Sequence, residues 1–114
     1  MKTLRTQKVD ELIREELSSL IRRELEIPPT VMVTMTRVDV APDLSHADVY
    51  FTVLPDNKRG TALTYLKQNA TLLRTALAKT IKIRNTPRLH FILDEKEIYS
   101  QEINSIIAKV SKED

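Results

Sequence analysis

The spacing of apolar residues changes period four times along this chain, and that alternation restricts the fold more than any other feature. Val9, Leu12, Ile13, Leu17, Leu20, Ile21 and Leu25 recur at steps of 3, 1, 4, 3, 1 and 4. Those steps align them on one stripe of a helix. Thr3 or Thr6 is placed to cap its start, and Pro28 and Pro29 end it in an extended segment. Val31 to Val40 is rich in β-branched residues and reads as a strand. Its apolar phase shifts from Val31, Val33 and Met35 to Val38 and Val40, so a bulge is expected near Thr36–Arg37. Pro42, Asp43, Leu44, Ser45 and His46 form a turn. Ala47 to Leu54 then returns as a second strand, with Val49, Phe51 and Val53 on one face and Tyr50 and Thr52 on the other. Pro55, Asp56 and Asn57 close the hairpin.

Helical spacing resumes with Ala62, Leu63, Leu66, Ala70, Leu73, Leu77 and Ile81. Periodicity alone predicts one long helix over Thr61 to Lys82, with Lys67, Arg74, Lys79 and Lys82 on an arc of about 140° facing away from the apolar stripe. Asn85, Thr86 and Pro87 break it. Arg88 to Asp94 reads as a third strand, with Leu89, Phe91 and Leu93 on one face. Asp94 stands three residues before Glu97, a spacing that caps a last helix. Tyr99, Ile103, Ile106, Ile107 and Val110 recur helically within it, and residues 111–114 are expected to fray. The order α-β-β-α-β-α makes an α+β fold with helices on one face of a small sheet. A length of 114 residues suits one domain, 1–114.

Charge is segregated. Of the 18 basic residues, eight lie between Asn57 and Leu93, where no acidic residue occurs: Lys58, Arg59, Lys67, Arg74, Lys79, Lys82, Arg84 and Arg88. That segment carries +8, and the remainder, with ten basic and sixteen acidic residues, carries −6. Such a division points to a polyanion partner on one surface.

The inventory excludes much chemistry. There is no cysteine, which removes disulfides, zinc knuckles and thiol catalysis. Gly60 is the single glycine, so no glycine-rich phosphate loop, GxxG clamp or nucleophile elbow is present. His46 and His90 lack a second histidine at metal-binding spacing, so no metal or cofactor is expected. Glu11, Glu15 and Glu16 lie among Arg14, Arg22 and Arg23, the pattern of an exposed helix face with local ion pairs. No enzyme is expected. Aromatics number five: Phe51 and Phe91 follow the core phase, and Tyr50 is the best candidate for an exposed stacking platform. Recognition of nucleic acid would therefore rest on phosphates and shape, which suits structured RNA. The charged N-terminus has no apolar export core, and no run approaches membrane-spanning length, so a cytoplasmic protein is expected.

Several segments together resemble the ribosome-binding factor A family, bacterial assembly factors of the small ribosomal subunit. They are Arg5-x-x-Lys8-Val9 with Glu16-Leu17-Ser18, then Thr36-Arg37-Val38-Asp39-Val40, then Asp43-Leu44-Ser45-x-Ala47-x-Val49-Tyr50. Leu73-Arg74, Leu77 and Arg84-x-x-Pro87-x-Leu89-x-Phe91-x-Leu93-Asp94 follow at compatible spacing. The resemblance implies a type II KH-like fold, α-β-β-α-kink-α-β, with a C-terminal helix on a three-stranded sheet. It also implies a kink centred on Ala70 in place of a GxxG turn. Family members often carry glycine two residues after that alanine, where this chain has Leu72. Many carry an acidic residue where this chain has Arg88. The implied partner is the small subunit and its ribosomal RNA near the 5′ region, bound during late maturation and processing.

The expected RNA contacts are Lys67, Arg74, Lys79, Lys82, Arg84 and Arg88, extended by Lys2, Arg5 and Lys8. Four to six phosphate contacts would give a log–log salt slope of roughly −3 to −5. A monomer is expected. The alternative reading is a non-catalytic protein-interaction module that turns its basic surface to an acidic protein.

Overall fold

In the computed structural model, the described residues are 4–97, 99, 102–104, 106 and 107. Helix α1 spans Leu4–Glu24, strand β1 Met32–Val40 and strand β2 His46–Leu54. A short 3₁₀ turn, Asp56–Lys58, leads into α2 (Arg59–Gln68) and α3 (Ala70–Thr80), and β3 covers Arg88–Leu93. The described residues between 95 and 107 are also helical. The sheet order is β1-β2-β3, with β2 antiparallel to β1 and parallel to β3. The parallel step is made by the α2–α3 crossover, as parallel neighbours require.

The expected bulge is present: pairing slips between Met35 and Arg37, so Thr36 has no opposite partner in β2. The slip lets Met35, Val38 and Val40 all face inward, although two of them differ in sequence phase. Leu44, in the turn, adopts φ 62°. Asp43 accepts hydrogen bonds from the Ser45 amide (3.0 Å) and hydroxyl (2.7 Å), which fixes that turn.

The core lies between the helices and one face of the sheet. Ile13, Leu17, Leu20 and Ile21 of α1 join Met35, Val49, Phe51, Val53, Leu66, Leu73, Leu77 and Phe91 there. Phe51 meets Phe91 edge to face, with ring centroids 6.3 Å apart. Asp10 of α1 accepts the Val40 amide at 2.8 Å, tying the helix to the end of β1.

Four expectations need correction. The long helix over Thr61 to Lys82 is two helices, begins earlier at Arg59 and ends at Thr80. Apolar spacing continues through the break because both halves bury one side against the same sheet. Leu12, read as part of the α1 stripe, is 43% exposed. It stands at the margin of the arc centred on Ile13 and Leu17. Thr6 lies inside α1 rather than capping it, and Thr3 falls outside the described residues. The third strand stops at Leu93, because Asp94 turns its side chain to the helix that follows.

That last helix forms, and its stripe differs from the other helices' stripes. Tyr99, Ile103, Ile106 and Ile107 are exposed. Val110 lies outside the described residues, as do residues 111–114.

Candidate nucleic-acid interface

Asn69 separates α2 from α3. Its backbone sits at φ −105°, ψ 11°, well away from the helical ψ of about −42°. The side-chain amide donates to the Tyr65 carbonyl at 2.8 Å, and the backbone N–H donates to the Tyr65 and Leu66 carbonyls at 3.2 and 3.1 Å. Asparagine is a poor helix former because its side chain competes for nearby backbone groups, and that competition is visible here. The ladder resumes with the Leu73 N–H donating to the Asn69 carbonyl at 2.9 Å. Ala70, Thr71 and Leu72 thus supply the first-turn amides of a new helix, and no side chain caps it. Such an end carries partial positive charge and suits anionic oxygen.

The break changes how the basic residues are grouped. On one unbroken helix, Lys67, Arg74, Lys79 and Lys82 would share a single arc. In the fold, Lys67 belongs to α2, Arg74 and Lys79 to α3, and Lys82 lies past the helix end. Within α3 the buried side is set by Leu73 and Leu77. At about 100° per residue, Arg74 and Lys79 lie about 140° apart on the exposed remainder. Lys79 flanks a cleft of about 430 Å³ between α1 and α3, together with Leu20, Arg23, Leu72 and Ala76. Arg74 turns to the other flank, where its Nε donates to the Thr86 carbonyl at 3.0 Å.

Residues 81–87 lead from α3 back to the sheet. Ile81 and Pro87 are buried and Ile83 half-buried, whereas Lys82 and Arg84 are exposed. The alternation places both cations on the outward side of an extended segment. Arg88 opens β3 and is exposed on the side opposite the helices. Its amide donates to the Ser45 carbonyl at 3.1 Å. Lys8 is exposed on α1, and Lys2 and the Arg5 side chain fall outside the described positions. The structure therefore sets Arg74 against the 81–87 segment that carries Lys82 and Arg84, leaves Arg88 on the open side of the sheet, and sets Lys79 beside α1.

Arg59, the first residue of α2, was counted among the basic residues but not among the expected contacts. It faces Glu102 of the last helix, with Nη1 and Oε1 3.5 Å apart. The Asn69 break and the Arg74–Thr86 bond also escaped periodicity. The family resemblance had implied a kink centred on Ala70, and the break falls at Asn69, one residue before it.

The outward sheet face is chemically different. The Arg37 guanidinium stacks on Tyr50, 3.8 Å from the ring centroid. Tyr50 is thus already covered, which removes it as an open stacking platform. His90 Nδ1 lies 3.2 Å from Asp48 on the neighbouring strand. Asp94 accepts the Thr36 hydroxyl at 2.6 Å and the Glu97 amide at 3.1 Å, with Arg37 4.0 Å away. Burial pushes the Asp94 carboxyl up, but those hydrogen bonds and the Arg37 and Lys96 charges hold it below the usual carboxylate range. Among the described residues no cluster of three histidine or carboxylate groups is placed to hold a metal ion. No helix among them is long and apolar enough to cross a membrane.

The sequence profile of the family described as Ribosome-binding factor A matches residues 5–107. A Ribosome-binding factor A of Legionella pneumophila is 40% identical over 111 residues, covering 96% of this chain and 89% of that relative. One from Chromobacterium violaceum is 37% identical over 110 residues, covering 96% and 80%. The crystal structure of ribosome-binding factor A from Thermus thermophilus superimposes with a TM-score of 0.69 at 24% identity, covering 77% of this chain and 94% of that one. A Thermus thermophilus homology model, fitted into a cryo-electron microscopy map of a 30S complex of that factor, matches at 0.62 and 26% identity, covering 73% and 88%. The helix–break–helix crossover over a three-stranded mixed sheet is thus the KH-like fold of those relatives, and this chain belongs to the ribosome-binding factor A family.

Proposed function

We propose that this chain is a non-catalytic assembly factor that binds structured ribosomal RNA of the small subunit, near its 5′ region, during late processing. The observation that carries the reading is the +8 segment from Asn57 to Leu93. Its cations Lys67, Arg74, Lys79, Lys82, Arg84 and Arg88 are all exposed. Lys2, Arg5 and Lys8 extend the footprint. The small-subunit partner is supported by the Thermus thermophilus relative placed in a 30S complex.

Phosphate contacts supply most of the affinity by counterion release. Base identity contributes little, since Tyr50 is covered by Arg37. The protein acts by binding one RNA arrangement better than its competitors, which shifts the population toward it. It works as a cytoplasmic monomer, and moderate, salt-sensitive affinity lets it leave when the RNA rearranges.

The test is co-sedimentation of purified protein with small subunits, large subunits and complete ribosomes at low and moderate salt. Selective, salt-sensitive pelleting with small subunits is expected. Equal pelleting with all three would reduce the basic surface to a general polyanion binder. No pelleting at low salt would overturn the reading.

A further inference from the structure

We infer that Arg74 is a positioning residue, which holds the 81–87 segment in shape so that Lys82, Arg84 and Arg88 meet the RNA as a unit. The inference rests on the RNA-binding reading and assigns Arg74 a different role from the cations around it.

The argument starts from what the segment lacks. Between the end of α3 at Thr80 and the start of β3 at Arg88 there is no regular secondary structure to fix the backbone. Ile81, Ile83 and Pro87 anchor it through burial. That leaves Arg84, Asn85 and Thr86 between the last two apolar anchors. Arg74 reaches across from α3, twelve residues back, and its Nε donates to the Thr86 carbonyl at 3.0 Å. A guanidinium has a rigid planar set of donors, so a bond made through Nε also fixes the plane of the whole group. With Nε committed to Thr86, the guanidinium is held over the segment. It is also held on the flank of α3 away from Lys79.

Ordering matters for affinity. Each cation on a mobile segment must lose side-chain and backbone conformational freedom when it meets a phosphate. A segment already pinned at both ends has lost its backbone freedom on folding. Lys82 and Arg84, two residues apart and both exposed, are then presented together. Arg88 follows in the adjoining strand, whose register is fixed by pairing with β2.

Two measurements test this, one without RNA. The first is backbone ¹⁵N relaxation of the free protein. Arg74→Ala should lower the order parameters of residues 82, 84, 85 and 86 from rigid values toward roughly 0.6 or below, with α3 unchanged. Unaltered order parameters would overturn the inference. The second is a double-mutant cycle on small-subunit binding, using Arg74→Ala, Arg84→Ala and the pair. A residue making one phosphate contact lowers the salt slope by about 1 when removed. Arg74→Ala should lower it by roughly 2 to 3, and Arg84→Ala should cost much less in its background than alone. A change of about 1 with additive losses would make Arg74 an independent contact and overturn the inference while leaving the RNA reading intact. Absence of salt-dependent binding by the unaltered protein would overturn both.

Discussion

The two faces of the sheet carry opposite chemistries. On the helix side, Phe51, Leu73, Leu77 and Phe91 seal a core, and α2 and α3 over it carry basic residues and no acidic one. On the open side, Arg37 stacks on Tyr50, Asp48 pairs with His90, and Asp94 joins the bulge to the last helix. Each cation named on the open side near the bulge is engaged with a ring or a carboxylate. The cations of the helix side are mostly exposed, with Arg74 set against the segment that carries Lys82 and Arg84, and Arg88 is exposed at the edge of the open side. The same residue type is therefore structural on one face and available on the other, and position in the fold decides which.

The contrast is sharpest in the core. Phe51→Ala should destabilise the protein by about 3–5 kcal/mol, because it empties a fully buried site and removes the Phe91 contact. Urea denaturation measures this, and a loss under 1 kcal/mol would mean the helices are not sealed on the sheet as described.

Neutralising Lys79, Lys82 and Arg84 together should leave melting unchanged and flatten the salt slope for small-subunit binding by roughly 2 to 3. An altered melting midpoint with an unaltered slope would assign these residues to the fold rather than to the partner.

On the open side, Asp94→Ala should cost about 1–3 kcal/mol, since it leaves Thr36 and the Glu97 amide without their acceptor. The folded carboxyl titrates below its unfolded value. Its contribution is therefore fully present above the unfolded value of about 3.9 and is lost as pH falls through the lower folded value. The gap between the unfolding free energies of the two proteins should close as pH falls past the folded carboxyl's own titration. A gap that stays constant from pH 7 to that point would contradict the ionised role.

Asn69→Ala should cost about 0.5–1.5 kcal/mol by removing the bond to the Tyr65 carbonyl, offset in part by better helix propensity. Calorimetry checks the sum, and rising far-ultraviolet helicity would show that α2 and α3 had joined. Arg37→Ala comes last, at about 0.5–1 kcal/mol for one exposed stack on Tyr50.

Much of this was legible in residue patterns. The shift from Met35 to Val38 announced the bulge, and Pro28, Pro29 and Pro87 marked element ends. Asp94 and Glu97 announced the last helix. The break at Asn69 was hidden from periodicity because Leu66, Leu73 and Leu77 keep helical spacing across it, and periodicity reports burial rather than hydrogen bonding; only the family resemblance implied a kink there, at Ala70. Leu12 was over-read for a related reason: an apolar residue at the margin of a stripe costs little when exposed. Of the candidate site, charge segregation was visible. The division of its cations between the two flanks of α3 was not, because Arg74's acceptor is a backbone carbonyl that any residue at Thr86 would supply. The Arg37–Tyr50 stack likewise depends on a cross-strand register that one residue of bulge sets.

The most direct test is lysine reactivity in the complex. Purified protein would be treated with an acetylating reagent, free and bound to small subunits, and each lysine quantified by mass spectrometry. Lys67, Lys79 and Lys82 should become protected, while Lys96, two residues past the Asp94 junction, should react as in the free protein. Protection of Lys96 with Lys67, Lys79 and Lys82 still reactive would contradict the assignment of the basic face.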